Sequence, residues 1–296
     1  MAGKQLNMMQ QTSYLTNVAQ RTKLSKVVGR VLMYGVLVLG GVVSLFPFYF
    51  AFIAATHKSD EVLASPPNLL PGGDLIKNLD HLMTEVKFGD AMFNSACIAV
   101  IYTFLGVLVC SLAGYAFAKY KFVLRDMIFL IFLGSLMLPA LVTFVPLFKM
   151  ISSWTWPFAW LGSWWAVILP TIASPFGIFL MRQAMTQLPD ELLDAGRIDG
   201  AGEFGTFWRI VLPVVKPSLA ALAILMFMSQ WNNFFWPLVS QVHTIPVAIG
   251  EFNGASIIDY GGIMTATSLS VLPLLVVFLF FQRQFISGAL AGAVKG

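Results

Sequence analysis

The hydrophobic positions of this 296-residue chain fall into six long apolar runs that are separated by polar segments. A helix needs about 20 apolar residues to cross the roughly 30 Å hydrocarbon core of a membrane, and each run comes close to or exceeds that length. The predicted spans are residues 27–55, 91–118, 127–148, 164–184, 217–238 and 263–281. The pattern therefore predicts an all-α integral membrane protein with six transmembrane helices.

Polar segments set the predicted domain organisation. Residues 1–26 are rich in Gln, Asn, Thr and Lys, and they are predicted to form a cytoplasmic leader. Residues 27–296 are predicted to form one six-helix transmembrane domain, which includes a cytoplasmic polar segment at residues 185–216. Because apolar chain flanks this polar segment on both sides, we expect the function to depend on what the segment contacts.

Four prolines lie inside the third and fourth predicted spans, and each is expected to kink its helix. Such kinks would let the bundle rock, although a role in packing explains these prolines equally well. They are Pro139, Pro146, Pro170 and Pro175.

The composition supports a membrane location. Charged residues make up 11% of the chain, whereas soluble domains carry roughly 25%. The net charge of +4 is small, and the basic residues do not form one face, so nucleic-acid binding is not indicated.

The distribution of Lys and Arg orients the predicted bundle. With six spans, both termini lie on the same side of the membrane. If that side is the cytoplasm, only four of the eighteen Lys and Arg residues lie outside, and such an excess of positive charge inside is typical of membrane proteins. The four are Lys58, Lys77, Lys87 and Lys149.

The chain contains no pattern that indicates catalysis, a cofactor or a metal ion. No G-x-x-x-x-G-K-[ST] sequence is present, so a phosphate-binding loop for ATP is not expected. The three histidines, His57, His81 and His243, fall in predicted outside loops and are expected to be solvated. Cys97 and Cys110 would lie about 20 Å apart along one helix, which is too far for a disulfide.

The polar segment is predicted to form a helical hairpin, whose first helix begins at Pro189. Asp194 and Arg197 are spaced to form an ion pair, and Gly200 and Gly202 are expected to end the helix. An apolar stripe is expected at Leu188, Leu192 and Ala195.

The second hairpin helix is predicted over residues 203–211, with Leu212-Pro213 stopping it and Pro217 opening the next span. Its apolar stripe is expected at Phe204, Phe207, Trp208 and Val211. An ordinary hairpin lying on lipid headgroups would also fit this pattern.

The spacing within the polar segment resembles the EAA loop of the membrane subunits of bacterial ABC importers. The matching residues are Asp194-Ala195-Gly196, Gly200, Ile210 and Leu212-Pro213. Here Asp replaces the usual first Glu, and Gly replaces the second Ala. The surrounding sequence is similar to the MalG family of carbohydrate importer permeases. The similarity recurs, in order, at Asn94-Ser95, Gly114 to Lys119, Trp231-Asn232-Asn233, Ile245 to Ala248 and Gly292 to Gly296.

This resemblance implies a type I ABC importer permease with both termini in the cytoplasm of a bacterial cell and six helices in the inner membrane. The expected partners are a homologous second permease subunit, a cytosolic ATPase dimer that carries ATP and Mg, and an extracytoplasmic solute-binding protein. The segment 239–262 would reach towards the solute-binding protein, and the tail 289–296 would touch the ATPase. The residues expected to couple to the ATPase are Glu191, Asp194, Ala195, Gly196, Arg197, Asp199, Gly200 and Phe204. The shorter Asp194 leaves open whether it or Glu191 bridges to the ATPase.

A polar cluster interrupts the fifth predicted span and is a candidate solute pathway, because polar side chains within spans usually face other helices or a wet cavity. Amides beside aromatic rings suit a sugar, although hydrogen bonding between helices would explain the cluster about as well. The cluster consists of Gln230, Trp231, Asn232 and Asn233.

The alternative function is a secondary active transporter that works without an ATPase. Such a protein would be expected to have inverted repeats and charged residues within its spans. The sequence shows no such repeat, and the interiors of the predicted spans contain no Asp, Glu, Lys or Arg, so the importer permease is the favoured hypothesis.

Overall fold

The computed structural model describes residues 29–153, 160–254 and 258–293, so the predicted leader at residues 1–26 lies outside the described residues. Within these ranges all regular elements are helices. They are α1 (Gly29–Ala54), α2 (Ser59–Val62), α3 (Leu75–Thr84), α4 (Phe88–Lys119), α5 (Arg125–Ser135), α6 (Ala140–Ser153), α7 (Trp164–Ile168), a 3-10 turn (Leu169–Thr171), α8 (Pro175–Thr186), α9 (Asp190–Ile198), α10 (Glu203–Thr206), a π-helical turn (Phe207–Val211), α11 (Leu212–Val214), α12 (Lys216–Trp231), α13 (Phe235–Val239), α14 (Ile245–Gly254) and α15 (Tyr260–Ala293).

Three of these helices, α1, α4 and α15, are long and apolar enough to cross a membrane unbroken. Two bent pairs also qualify when each is counted as one span. Trp164–Thr171 and Pro175–Thr186 meet at 48°, and Glu203–Val214 and Lys216–Trp231 meet at 83°. By length and composition the described residues thus supply up to five spans.

The span predicted over residues 127–148 is interrupted before Pro139 rather than only kinked there. The chain forms α5 and α6 instead, and the residues between them make short turns that lead into Pro139. Proline has no N–H and disfavours helical backbone at the residue before it, so the break falls where the sequence places Pro139. Pro146, in contrast, lies inside α6 without ending it.

The core forms where α4 packs against α8 and α12. Small residues line this face of α4 at Gly106, Cys110 and Gly114, all buried. A Cβ atom at Gly114 would lie 2.9 Å from the backbone nitrogen of Arg182, so α4 and α8 approach with their backbones almost in contact. This close approach resembles the small-residue packing of membrane helices. Both cysteines are free, as the sequence predicts.

A second core lies near Phe88, at the first end of α4, and joins α3, α14 and α15. Here the prediction that His57 is solvated is wrong. Its side chain is buried, and Nδ1 lies 3.0 Å from the carbonyl oxygen of Ile53. The segment 239–262 is also not a plain loop, because its described residues include the ten-residue helix α14.

Candidate functional site

The polar segment forms a hairpin whose turn is set by Gly200. This residue has φ of +79°, in the left-handed region that favours glycine, and no atom lies within 4 Å of the position a Cβ would occupy. Gly200 is therefore required by the backbone conformation rather than by crowding. It ends α9 as the sequence predicts.

The face of α9 that packs inward differs from the predicted stripe. Leu188 is buried, but Leu192 and Ala195 are exposed, and the buried positions of α9 are Leu193 and Gly196. The two adjacent leucines made either face possible from sequence alone. The prediction was correct only for Leu188.

Gly196 lets the two hairpin helices pack closely. A Cβ at Gly196 would lie 2.4 Å from Cδ1 of Ile210, a distance that packed atoms do not adopt. The glycine at the second alanine position of the motif thus makes room for a side chain of the same hairpin.

The second hairpin helix does not stop at Pro213. It runs as α10, the π-helical turn and α11 as far as Val214, and then bends by 83° into α12. A π-helical turn is wider than an α turn, and this width accommodates the Pro213 ring, which would collide with the carbonyl four residues earlier in a regular α-helix. The predicted aromatic stripe is divided. Phe207 and Val211 are buried, whereas Phe204 and Trp208 are exposed.

Arg197 holds the two hairpin helices together through charge. Its Nη1 lies 3.0 Å from Oδ1 of Asp194, which confirms the predicted pair, and its Nε lies 3.1 Å from Oε1 of Glu203. The hydroxyl of Tyr120 donates to the other carboxylate oxygen of Glu203. The hydrogen bonds from Tyr120 and then Arg197 hold the pKa of Glu203 below its usual value.

The hairpin is also tied to the end of α4. The nearly buried Lys119 donates from Nζ to the carbonyl of Leu188 and to Oδ1 of Asp190, both at 2.6 Å. The hydrogen bond from Lys119 lowers the pKa of Asp190. Sequence reasoning missed Lys119, Tyr120 and Glu203 as site residues. The only available signal was the position of Lys119 and Tyr120 at the end of a span.

The outer surface of the hairpin carries four further residues that were predicted to couple to the ATPase: Glu191, Ala195, Asp199 and Phe204. Two apolar side chains are the most exposed there, Ile198 at 86% and Phe204 at 74%, and Ile198 was not predicted. Glu191 and Asp199 are exposed, and neither forms an ion pair among the residues that the structure covers. The outer surface thus combines apolar contact area with carboxylates.

The predicted solute cluster separates into inward and outward residues. The fifth span does not continue to residue 238, because α12 ends at Trp231 and α13 starts at Phe235. Gln230 is buried and accepts from Nδ2 of Asn233 at 3.4 Å. Trp231 is buried and stacks on Phe227, with ring centroids 5.6 Å apart.

Asn232 is the exposed member of this cluster. Its Nδ2 donates to the carbonyl of Met228 at 2.8 Å, which fixes the amide at the helix end. Asn233, in turn, accepts from the backbone nitrogen of Trp236 at 3.4 Å. The helix end therefore positions one amide outward and uses the two others in internal hydrogen bonds.

No group of three or more His, Cys, Asp or Glu side chains suited to a metal ion is found in the part of the chain that the structure describes.

Comparison with known proteins identifies the family. Residues 106–289 match the model of the family described as "Binding-protein-dependent transport system inner membrane component". The chain belongs to this family. It is therefore a membrane permease subunit of a binding-protein-dependent ABC importer, a transport component that catalyses no reaction itself.

Three relatives are each 35% identical to this permease. The first is the arabinooligosaccharides transport system permease protein AraQ of Halalkalibacterium halodurans, and the match covers 86% of this chain and 92% of AraQ. The second is the lactose transport system permease protein LacG of Rhizobium radiobacter, with 90% of this chain and 96% of LacG covered. The third is the sn-glycerol-3-phosphate transport system permease protein UgpE of Yersinia enterocolitica, with 85% of this chain and 92% of UgpE covered.

Two solved structures share the fold of the permease. One is a bacterial ABC transporter involved in the import of the acidic polysaccharide alginate, with a TM-score of 0.68 and 20% identity over 88% of this chain and 97% of the other. The second is the alginate transporter in complex with an alginate pentasaccharide-bound periplasmic protein, with a TM-score of 0.58, 16% identity and the same coverage.

Proposed function

We propose that this permease pairs with a homologous second permease subunit in an importer for a carbohydrate. A cytosolic ATPase dimer that binds ATP and Mg drives this importer, and an extracytoplasmic solute-binding protein delivers the solute. The chain crosses the bacterial inner membrane six times, with the interrupted apolar chain of α5 and α6 as the crossing beyond the five spans above, and both termini lie in the cytoplasm. The distribution of Lys and Arg supports this orientation.

The observation that carries the proposal is the attachment of the hairpin to α4. Lys119 and Tyr120 bond the hairpin to one end of a 32-residue helix that crosses the whole bundle. A load that the ATPase applies to the hairpin therefore passes directly into α4 and, through the 83° bend, into α12.

The contact with the ATPase is made by the outer surface of the hairpin. Ile198 and Phe204 supply apolar area, and a carboxylate fixes the register. Since Asp194 already pairs with Arg197, Glu191 is the carboxylate that bridges to a basic group of the ATPase. Ala195 and Asp199 lie on the same exposed surface.

A carbohydrate is the favoured solute because two of the three relatives above are named for oligosaccharide or lactose transport. The third is named for sn-glycerol-3-phosphate, which is an anion. The pathway passes the end of α12, where Asn232 is exposed.

Cysteine cross-linking in the purified transporter tests the proposal. Ala195→Cys places a thiol on the outer surface of the hairpin, and Met83→Cys on the exposed face of α3 serves as a control at the other end of the molecule. We expect a short bifunctional thiol reagent to join the ATPase to Cys at 195 and not at 83.

Cross-linking from both positions, or from neither, would contradict the docking proposal. Solute uptake that follows an ion gradient in vesicles free of ATPase would favour a secondary transporter instead.

A further inference from the structure

A cavity of about 250 Å³ lies where the end of α12 meets α14 and the middle of α15. Its lining combines aromatic rings, aliphatic side chains, one amide and one hydroxyl, a mixture typical of small-molecule sites. The lining residues are Trp231, Asn232, Phe234, Ile245, Pro246, Ile249 and Ser270.

The polar groups of the cavity are held in fixed orientations by the protein. One amide N–H of Asn232 donates to the carbonyl of Met228 at 2.8 Å, and the Ser270 hydroxyl donates to the carbonyl of Thr267 at 2.7 Å. The Asn232 amide oxygen and the Ser270 oxygen remain as acceptors, together with one amide N–H as a donor. Hydroxyl groups can both donate to these acceptors and accept from this donor.

Among the residues that the structure describes, the cavity lining carries no ionisable side chain. An anion that enters would lose hydration without gaining a cationic partner, which is costly in a mostly apolar site. A neutral ligand does not meet this penalty. The lining thus disfavours phosphates and uronates, including the type of solute named for the glycerol-phosphate and alginate transporters.

The aromatic wall of the cavity depends on a glycine. A Cβ at Gly250 in α14 would lie 2.7 Å from Cε2 and 3.3 Å from Cζ of Phe234. Any side chain at position 250 would displace the ring of Phe234, which is a cavity-lining residue. Gly250 therefore sets the position of an aromatic surface on which the C–H face of a sugar ring can pack.

We propose that this cavity is a subsite for one unit of a neutral, hydroxyl-rich solute, with Asn232 and Ser270 bonding hydroxyl groups and Phe234 packing on the ring. The assignment rests on the proposed importer function and extends it by selecting neutral sugars over anionic ones.

Protection of an introduced thiol tests the subsite in the full chain in nanodiscs, without the ATPase. Ile249→Cys puts a thiol in the lining without removing a polar group, and the unsubstituted chain gives the background from Cys97 and Cys110. The probes are glucose, galactose, arabinose and lactose on one side, and glycerol 3-phosphate and glucuronate on the other. We expect at least one neutral sugar to slow labelling of Cys at 249, and neither anion to do so.

Two further substitutions in the Ile249→Cys chain make the result specific. Asn232→Ala should weaken protection by roughly three- to tenfold, the effect of one lost hydrogen bond. Gly250→Ala should abolish protection, whereas Gly89→Ala, a helical glycine with open space around it, should leave it unchanged.

Absence of protection by every neutral sugar, or equal protection by the anions, would overturn the subsite. Protection that survives both Asn232→Ala and Gly250→Ala would also overturn it. Because no ATPase is present, these outcomes are independent of the cross-linking result for the hairpin.

Discussion

Lys119, the last residue of α4, donates to the backbone carbonyl of Leu188 at 2.6 Å and so fixes the entrance of the hairpin. The lysine side chain is only 7% exposed, while its second partner, Asp190, is 78% exposed. The contact with the backbone is therefore the protected one. Lys119 attaches the hairpin to the helix irrespective of the side chain at residue 190.

Replacing Lys119 should uncouple transport from ATP hydrolysis. Lys119→Met keeps much of the apolar stem but removes the donor to Leu188, so movement of the hairpin would no longer pull on α4. We expect solute uptake per ATP hydrolysed to fall roughly 5- to 150-fold, the fold-change that corresponds to typical coupling free energies. Uptake and phosphate release by proteoliposomes measure this ratio. Lys121→Met, at an exposed position without an ion pair among the described residues, is the control and should behave as wild type.

Two glycines of the hairpin should respond differently to alanine. Gly200 has φ of +79°, whereas Gly202 has φ of −64°, and both have open space around them. Gly200→Ala should cost about 1–2 kcal/mol of stability because of the left-handed backbone, and Gly202→Ala, at the N-cap of α10, should cost less because its φ already suits an L-residue. Hydrogen exchange of the hairpin amides distinguishes the two variants, and equal effects would refute the role given to Gly200.

Gly196 and Ile210 should show energetic coupling. Gly196→Ala places a methyl group where Cδ1 of Ile210 lies, and overpacking of this kind costs about 1–3 kcal/mol. Ile210→Val removes that Cδ1 atom, so the double variant should recover much of the loss. A double-mutant cycle on thermal unfolding measures the coupling. Additive effects would mean that the two residues do not meet.

Acid should loosen the hairpin at Glu203. Because the pKa of Glu203 is lower in the folded protein than its ordinary value of 4.5, its stabilising contribution is complete above pH 4.5. The contribution is lost as the pH falls through the lowered pKa, when the carboxylate gains a proton and its pairing with Arg197 weakens. Limited proteolysis of the hairpin between pH 6 and about 3 monitors this change. Glu203→Gln should be cleaved faster than the unsubstituted protein at pH 6, with little further change in cleavage rate on acidification. If the variant kept the pH profile of the unsubstituted protein, the effect of acid would belong to another group.

The sequence predicted those parts of the hairpin that depend on local chemistry. Gly200 and the Asp194–Arg197 pair follow from backbone preference and helical spacing, and both are present. The buried face of α9 could not be predicted, because Leu192 and Leu193 offer two equivalent faces and only packing against Ile210 selects one.

Contacts between distant segments account for most of the remaining differences. Lys119 and Leu188 are far apart in the sequence, and no periodic pattern pairs them. Likewise, the buried His57 ring lies beside Gly72, and Asn78 donates to the His57 carbonyl, contacts that no local pattern predicts. The break before Pro139 was signalled by the proline itself, but Pro146 shows that a proline in an apolar run does not always end a helix.

The second hairpin helix meets α12 at 83°, with the bend at Val215, so the hairpin stands almost at right angles to the axis of α12. Sideways movement of a segment that is almost perpendicular to a helix rotates that helix about its own axis. Because α12 has no proline after its first turn, no proline kink interrupts the helix before its far end, next to Asn232. A swing of the hairpin by the proposed ATPase contact would therefore turn the Asn232 amide, which lines the proposed sugar subsite, about the axis of α12.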